Sequence, residues 1–166
     1  FCRTGEYANR IVIPSYDSEG NLNFFTARDF TNKHPYKYKL CHFSKNIIGF
    51  ESLINFKEPI NLVEGQFDAI AIRRNAIPLF GKTLSTKLKN KILTLKSPHV
   101  NVILDNDARK DSIKICEFLL KNNISVSLVT LNEKDPSILG FEQVWNLINS
   151  TKPLNFYNLI EQKLKL

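Results

Sequence analysis

Apolar and polar positions follow two different rhythms along the chain. Arg10-Ile-Val-Ile-Pro-Ser-Tyr16 and Leu22-Asn-Phe-Phe-Thr-Ala-Arg28 read as strands, with the turn cluster Asp17-Ser-Glu-Gly-Asn21 between them. That pattern predicts a hairpin. Residues 31–46 interleave Lys, His and aromatics without a period and are expected to form an irregular arm. Residues 47–55 fit a short helix, and Lys57-Glu-Pro59 marks a boundary. Beyond it, short apolar runs alternate with helical stripes. Strands are expected at Ile60-Asn-Leu-Val-Glu64, Ile77-Pro-Leu-Phe80, Val100-Asn-Val-Ile-Leu104 and residues 124–131. Helices are expected at 66–75, 84–95, 112–121, 137–148 and 154–164, the second from apolar residues at 84, 88, 92 and 95. Such alternation implies right-handed crossovers and a mainly parallel sheet covered by helices on both faces. The expected architecture is therefore α/β, with a smaller α+β lobe in front. The divisions are residues 1–57, 58–150 and a C-terminal helix or linker at 151–166.

Composition narrows the class. The chain has 166 residues, 43% of them hydrophobic and 23% charged, enough for a buried core without covalent staples. No apolar run approaches the ~18 residues of a membrane span, and the start, Phe-Cys-Arg-Thr-Gly-Glu, is no signal peptide. With no Met anywhere, the chain is expected to be a piece of a longer one. Cys2, Cys41 and Cys116 are odd in number and widely spaced, which argues against a disulfide framework or a zinc ribbon and for a reducing cytoplasm.

The charge is uneven. The net charge is +7, and between Asp68 and Asp105 there is no acidic residue, while Arg73, Arg74, Lys82, Lys87, Lys89, Lys91 and Lys96 all fall there. A basic surface of this kind suits a polyanionic partner. The acids instead gather at strand ends. Glu64 closes one strand and is followed by Gly65, with Asp68 one helical turn on. Asp105 and Asp107 close another as Asp-x-Asp, and Asp135 lies in Lys134-Asp-Pro136. In a parallel sheet the functional crevice lies beyond the carboxyl ends of the strands. Carboxylates converging there repel one another unless a cation sits among them, and Mg2+ takes oxygen ligands. A single Asp at a helix start is also an ordinary cap, which applies most to Asp111 and Asp135.

In that order, Val63-Glu-Gly-Gln-Phe-Asp68, Gly81-Lys-Thr-Leu-Ser85, Ile103-Leu-Asp-Asn-Asp107 and Lys134-Asp-Pro136 resemble the successive motifs of a Toprim domain, shared by DnaG-type primases, topoisomerases and some nucleases. The resemblance implies Mg2+ or Mn2+ as cofactor, with Glu64, Asp68, Asp105, Asp107 and Asp135 as its ligands. It gives Glu64, Asp105 and Asp107 catalytic roles. Arg10-Ile-Val-Ile-Pro, Phe25-Thr-Ala-Arg28, Tyr36-Lys-Tyr-Lys39, Phe43-Ser-Lys45 and Gly49-Phe resemble the basic lobe that precedes Toprim in primase cores. By that match Arg28, Lys37 and Lys45, with Arg10 and Lys82 beside them, are expected to meet nucleic-acid or nucleotide phosphates. Arg forks and Lys point charges suit that task, and neighbouring aromatics suit base stacking. Two departures stand out: the run Ala108-Arg-Lys-Asp-Ser112 lacks the Ala-Gly pair usual after the Asp-x-Asp, and Ser137 replaces a further acid.

The resemblance implies a primase core that makes short RNA primers on single-stranded DNA from ribonucleoside triphosphates. It further implies a replicative helicase or helicase domain as partner and cytoplasmic residence, the host's if the short loops and Lys/Asn-rich composition reflect a phage or mobile element. The alternatives are a Toprim nuclease or topoisomerase fragment and a non-catalytic nucleic-acid-binding module. His34, His42 and His99 receive no role, and Trp145 is read as core.

Overall fold

The computed structural model describes residues 1–131 and 136–166. Its strands form two sheets. The first is antiparallel: β1 (Arg10–Tyr16), β2 (Leu22–Asp29) and β3 (Tyr38–Leu40), side by side in that order. The hairpin turn is built by Asp17, whose Oδ1 accepts the backbone N–H groups of Glu19 and Asn21 at 2.9 Å each. β3 falls inside the stretch expected to be irregular. Three residues paired to Thr26, Ala27 and Arg28 leave no alternation long enough to read from sequence.

The second sheet is parallel throughout. It contains β4 (Ile60–Val63), β5 (Ala76–Pro78), β6 (Val100–Ile103) and β7 (Val126–Leu128), in the order β5-β4-β6-β7. The crossovers carry α1 (Gln66–Ile72), α2 (Thr86–Leu95) and α3 (Arg109–Lys121). After β7 come α4 (Pro136–Leu139), α5 (Phe141–Ser150) and α6 (Phe156–Leu164). Ser85 and Asn155 start α2 and α6 as N-caps, each side-chain oxygen accepting an N–H three residues on. The helix expected over 137–148 is broken at Gly140, whose φ of 79° an L side chain rarely adopts. The stretch 47–55 is not a helix: Phe50 takes a left-handed φ of 54° and only a 3-10 turn follows, Glu51–Leu53. α3 begins earlier than expected, because a 3-10 turn, Asn106–Ala108, runs straight into it and needs no glycine after Asp107.

Period-two alternation in the strands divides the core. Ile60, Leu62, Val100 and Val102 face one layer with Leu88 and Ile92 of α2, Ile113, Cys116 and Leu119 of α3, and Leu159 of α6. Val63 and Ile103 face the other with Ala69 and Ile72 of α1 and Val144 and Ile148 of α5. On that second face Asn61, Asn101 and Ser127 lie at matched register across three strands and are buried. Asn101 Nδ2 donates to Asn61 Oδ1 at 2.9 Å, and Asn61 Nδ2 donates to Arg74 O at 2.9 Å. His99 joins the row through Asn101, Ser127 and Ser125, and burial holds its imidazole below its usual pKa.

The two sheets meet at few but close contacts. Phe24 of β2 and Phe80, just past β5, pack with ring centroids 4.3 Å apart. The Thr26 hydroxyl of β2 donates to Gln66 Oε1 of α1. Gly49 lies so near Pro78 that a Cβ there would stand 2.4 Å from the Pro78 carbonyl oxygen. On the far side of the parallel sheet, Leu154 N–H donates to Val126 O at 2.7 Å.

Candidate active site

β4 and β6 are neighbours at the centre of the parallel sheet, so their carboxyl ends lie together. Glu64 follows β4 directly, and Asp105 and Asp107 follow β6 within four residues. Carboxylate oxygens of these three all lie within 4.8 Å of one another. Glu64 and Asp105 are half-buried and Asp107 is exposed. Burial, then the Asp105 carboxylate, with smaller pushes from Asp107 and Asp111, raises the Glu64 carboxyl above its ordinary pKa; Lys82 opposes the rise. Glu64 Oε2 is buried and meets no hydrogen-bond donor among the described residues. A buried, unpartnered carboxylate oxygen beside two further carboxylates is the donor set a hard divalent cation requires. The residues therefore fit such an ion.

The other expected ligands fall differently. Asp68 lines the same cleft but stands outside the three-carboxylate cluster. Its Oδ2 accepts the Gly65 N–H at 3.1 Å and closes the first turn of α1. Asp135 lies outside the described residues. Lys82, two residues past Phe80, donates to Asp107 Oδ2 at 2.6 Å, and this hydrogen bond raises the pKa of its ammonium.

A cleft of about 430 Å³ opens from the acids toward the antiparallel sheet, and Glu64, Asp68 and Asp105 share its lining with Lys37, Tyr38 and Lys45. Lys45 is held in place by donating to Phe80 O at 2.7 Å. Lys37 is exposed, its ammonium 5.7 Å from the centre of the Tyr38 ring. Arg28 stacks at the same edge. Its guanidinium lies 4.5 Å from the Phe67 ring centre and 5.5 Å from that of Tyr38, and it donates to the Tyr38 hydroxyl at 3.2 Å. Stacked this way, its remaining N–H groups point from a fixed plane. Phe67, on the first turn of α1, belongs to this aromatic clamp and was not singled out by the sequence; only its place two residues after Gly65 hinted at it.

Arg10 does not join this group. It is 4% exposed, and its guanidinium donates to the carbonyls of Ala27, Tyr36 and Lys37. It pins the arm carrying Lys37 to the hairpin instead of facing a phosphate. A buried Arg survives because three carbonyls replace its water, a pairing that a strand-initial Arg does not advertise in sequence.

No family model matches the chain. An uncharacterized protein of Mycoplasma genitalium is 30% identical over 129 residues, which are 72% of this chain and 59% of that protein. The DNA primase of Thermotoga maritima is 31% identical over 148 residues, 80% of this chain but 26% of that enzyme. The chain thus spans only part of the length of these relatives. Among solved structures, the zinc-binding and RNA polymerase domains of Aquifex aeolicus primase superpose with a TM-score of 0.75 at 22% identity, covering 98% of this chain and 49% of that one. A DnaG primase catalytic domain bound to single-stranded DNA gives 0.72 at 18% identity, covering 89% and 53%. At such identities the likeness is one of fold. The chain therefore has the fold of the Toprim-containing catalytic core of DnaG-type primases, and it is similar in sequence to one such enzyme.

Proposed function

We propose that this chain catalyses template-directed joining of ribonucleotides on single-stranded DNA, as the catalytic core of a primase. The observation that carries the reading is the shared cleft: Glu64 and Asp105 of the carboxylate cluster line it together with Lys37 and Lys45. Acids alone would suit any metal site, and lysines alone any polyanion. Their juxtaposition suits a reaction at a phosphate.

Glu64, Asp105 and Asp107 would hold Mg2+ or Mn2+, which when bound supplies charge to neutralise and orient the phosphates in nucleotidyl transfer. Glu64, whose Oε2 is buried and meets no donor among the described residues, would act as a ligand of that ion or as the acid/base beside the reacting group. Asp68 keeps α1 seated so that Gly65 and Glu64 hold their places. Lys37, Lys45 and the stacked Arg28 would bind backbone or nucleotide phosphates, and Tyr38 and Phe67 would exclude water beside them. Most of the catalysis expected here is positioning and charge stabilisation. On this reading residues 1–57 present nucleic acid to residues 58–150, which carry the chemistry. The template is inferred from the solved DnaG domain with single-stranded DNA.

The test is primer synthesis on single-stranded DNA with labelled ribonucleotides and Mg2+ or Mn2+. Asp105→Ala with Asp107→Ala should abolish it, and activity surviving that pair rejects the assignment. Divalent-dependent nicking without nucleotides would make the site a nuclease centre. DNA binding indifferent to chelators, with no synthesis, would make it a binding module.

A further inference from the structure

Lys82 stands between two spaces. On one side its Nζ lies 2.6 Å from Asp107 Oδ2, inside the acidic cluster. On the other it lines a neighbouring groove of about 170 Å³ together with Lys89, Lys114, Asp111 and Phe118. In that groove Lys114 is paired with Asp111 at 3.2 Å, and the Lys89 ammonium sits 5.3 Å from the centre of the Phe118 ring. The groove therefore holds more ammonium charge than carboxylate, and Lys82 is the one of its lysines that also reaches the acids.

The Asp107 carboxylate has room to change partners. Its side chain is 73% exposed and that of Lys82 33%, so the pair is a surface ion pair, which contributes little and is readily exchanged. An ammonium and a divalent cation on one small carboxylate repel each other steeply at such range. Both cannot keep Asp107 at full strength. Gly81, next to Lys82, has open space around it, with nothing within 4 Å of where a Cβ would stand.

We propose that Lys82 is the resident counter-cation of the acidic cluster, giving up Asp107 when a divalent ion is held there and turning its ammonium into the Lys89/Lys114 groove to bind a phosphate of the substrate. The proposal rests on the reading of Glu64, Asp105 and Asp107 as a metal site. Lys82 is then a positioning residue before metal entry and a phosphate ligand after it. Its presence weakens ion binding by the empty site and strengthens phosphate binding by the loaded one.

The experiment titrates Mn2+ into the wild-type chain, Lys82→Met and Lys82→Arg, reading free ion by electron paramagnetic resonance. It then titrates tripolyphosphate into each protein saturated with Mg2+, by calorimetry. Lys82→Met should bind Mn2+ about three- to fivefold more tightly than wild type, the scale of losing a surface ion pair, and bind tripolyphosphate about fivefold or more weakly. Lys82→Arg should stay near wild type in both. Mn2+ affinity equal or lower in Lys82→Met overturns the proposal while leaving the metal site standing. So does tighter Mn2+ binding with tripolyphosphate binding unchanged, since the ammonium would then have no second partner. Mn2+ binding that is the same in wild type and Asp105→Asn removes the metal site itself, and the proposal with it.

Discussion

Glu64 shows how far a single residue can be read. Its identity and its place at the end of an apolar run were enough to nominate it. Its depth was not legible, because burial depends on what the later strand ends bring alongside. That depth has a measurable sign. Its carboxyl is raised in the folded chain by burial and then by Asp105. The folded state therefore favours the neutral form. The associated stability is fully present below the ordinary carboxylate range and is lost as pH rises through the raised value. Glu64→Gln removes that loss. In metal-free solution the variant should melt above wild type at pH 7, and the gap should close as pH falls into the ordinary carboxylate range. Added Mg2+ should raise the melting temperature of wild type and leave that of the variant in place. Arg10 is the opposite case. Its charge suggested a phosphate, whereas three backbone carbonyls claim it, and no spacing rule counts carbonyls that a distant loop will supply.

At the level of elements, long periodic segments were readable and short or interrupted ones were not. α2, with Leu88 and Ile92 buried one turn apart, follows its apolar stripe. β3 is too short for a period, and Gly140 splits a stripe that otherwise runs on into α5. The last helix is held by more than its stripe. Glu117 of α3 accepts from Lys163 of α6 at 2.7 Å and from Lys121 at 2.9 Å, and Arg109 of α3 donates to Gln162. The two lysine hydrogen bonds hold the Glu117 carboxyl down at about 2. A lowered carboxyl contributes stability that is present above the ordinary range and lost as pH falls toward that value. Hydrogen exchange over 156–164 should quicken as pH drops from ~4.5 toward ~2, after correction for intrinsic rates. Glu117→Gln should show the quicker exchange already at pH 7. Unchanged protection in the variant would assign the docking of α6 to Leu159 and the Arg109–Gln162 hydrogen bond instead of Glu117.

For the molecule as a whole, a mainly parallel sheet covered by helices was legible because alternation of strand and helix leaves few topologies, though the order of its strands was not. What brings the hairpin sheet over the acids was not, since it depends on single contacts far apart in sequence. Phe24 against Phe80 is one, Thr26 with Gln66 another, and Gly49 against Pro78 a third. Gly49→Ala would drive a methyl group into a backbone carbonyl that has little freedom to yield, at a cost of about 1–3 kcal/mol. A melting temperature lower by several degrees is expected, with loss of single-stranded DNA binding if the lobe holding Lys45 shifts. A variant as stable as wild type would mean that this contact does not set the relation of the sheets. The same contact has a second consequence. Pro78 offers no N–H on the outer side of β5, and the backbone at Gly49 already covers its carbonyl; beyond β7, the chain at Leu154 occupies the opposite margin. A strand from another molecule would meet chain already in place at both margins of the parallel sheet, which disfavours edge-to-edge pairing there.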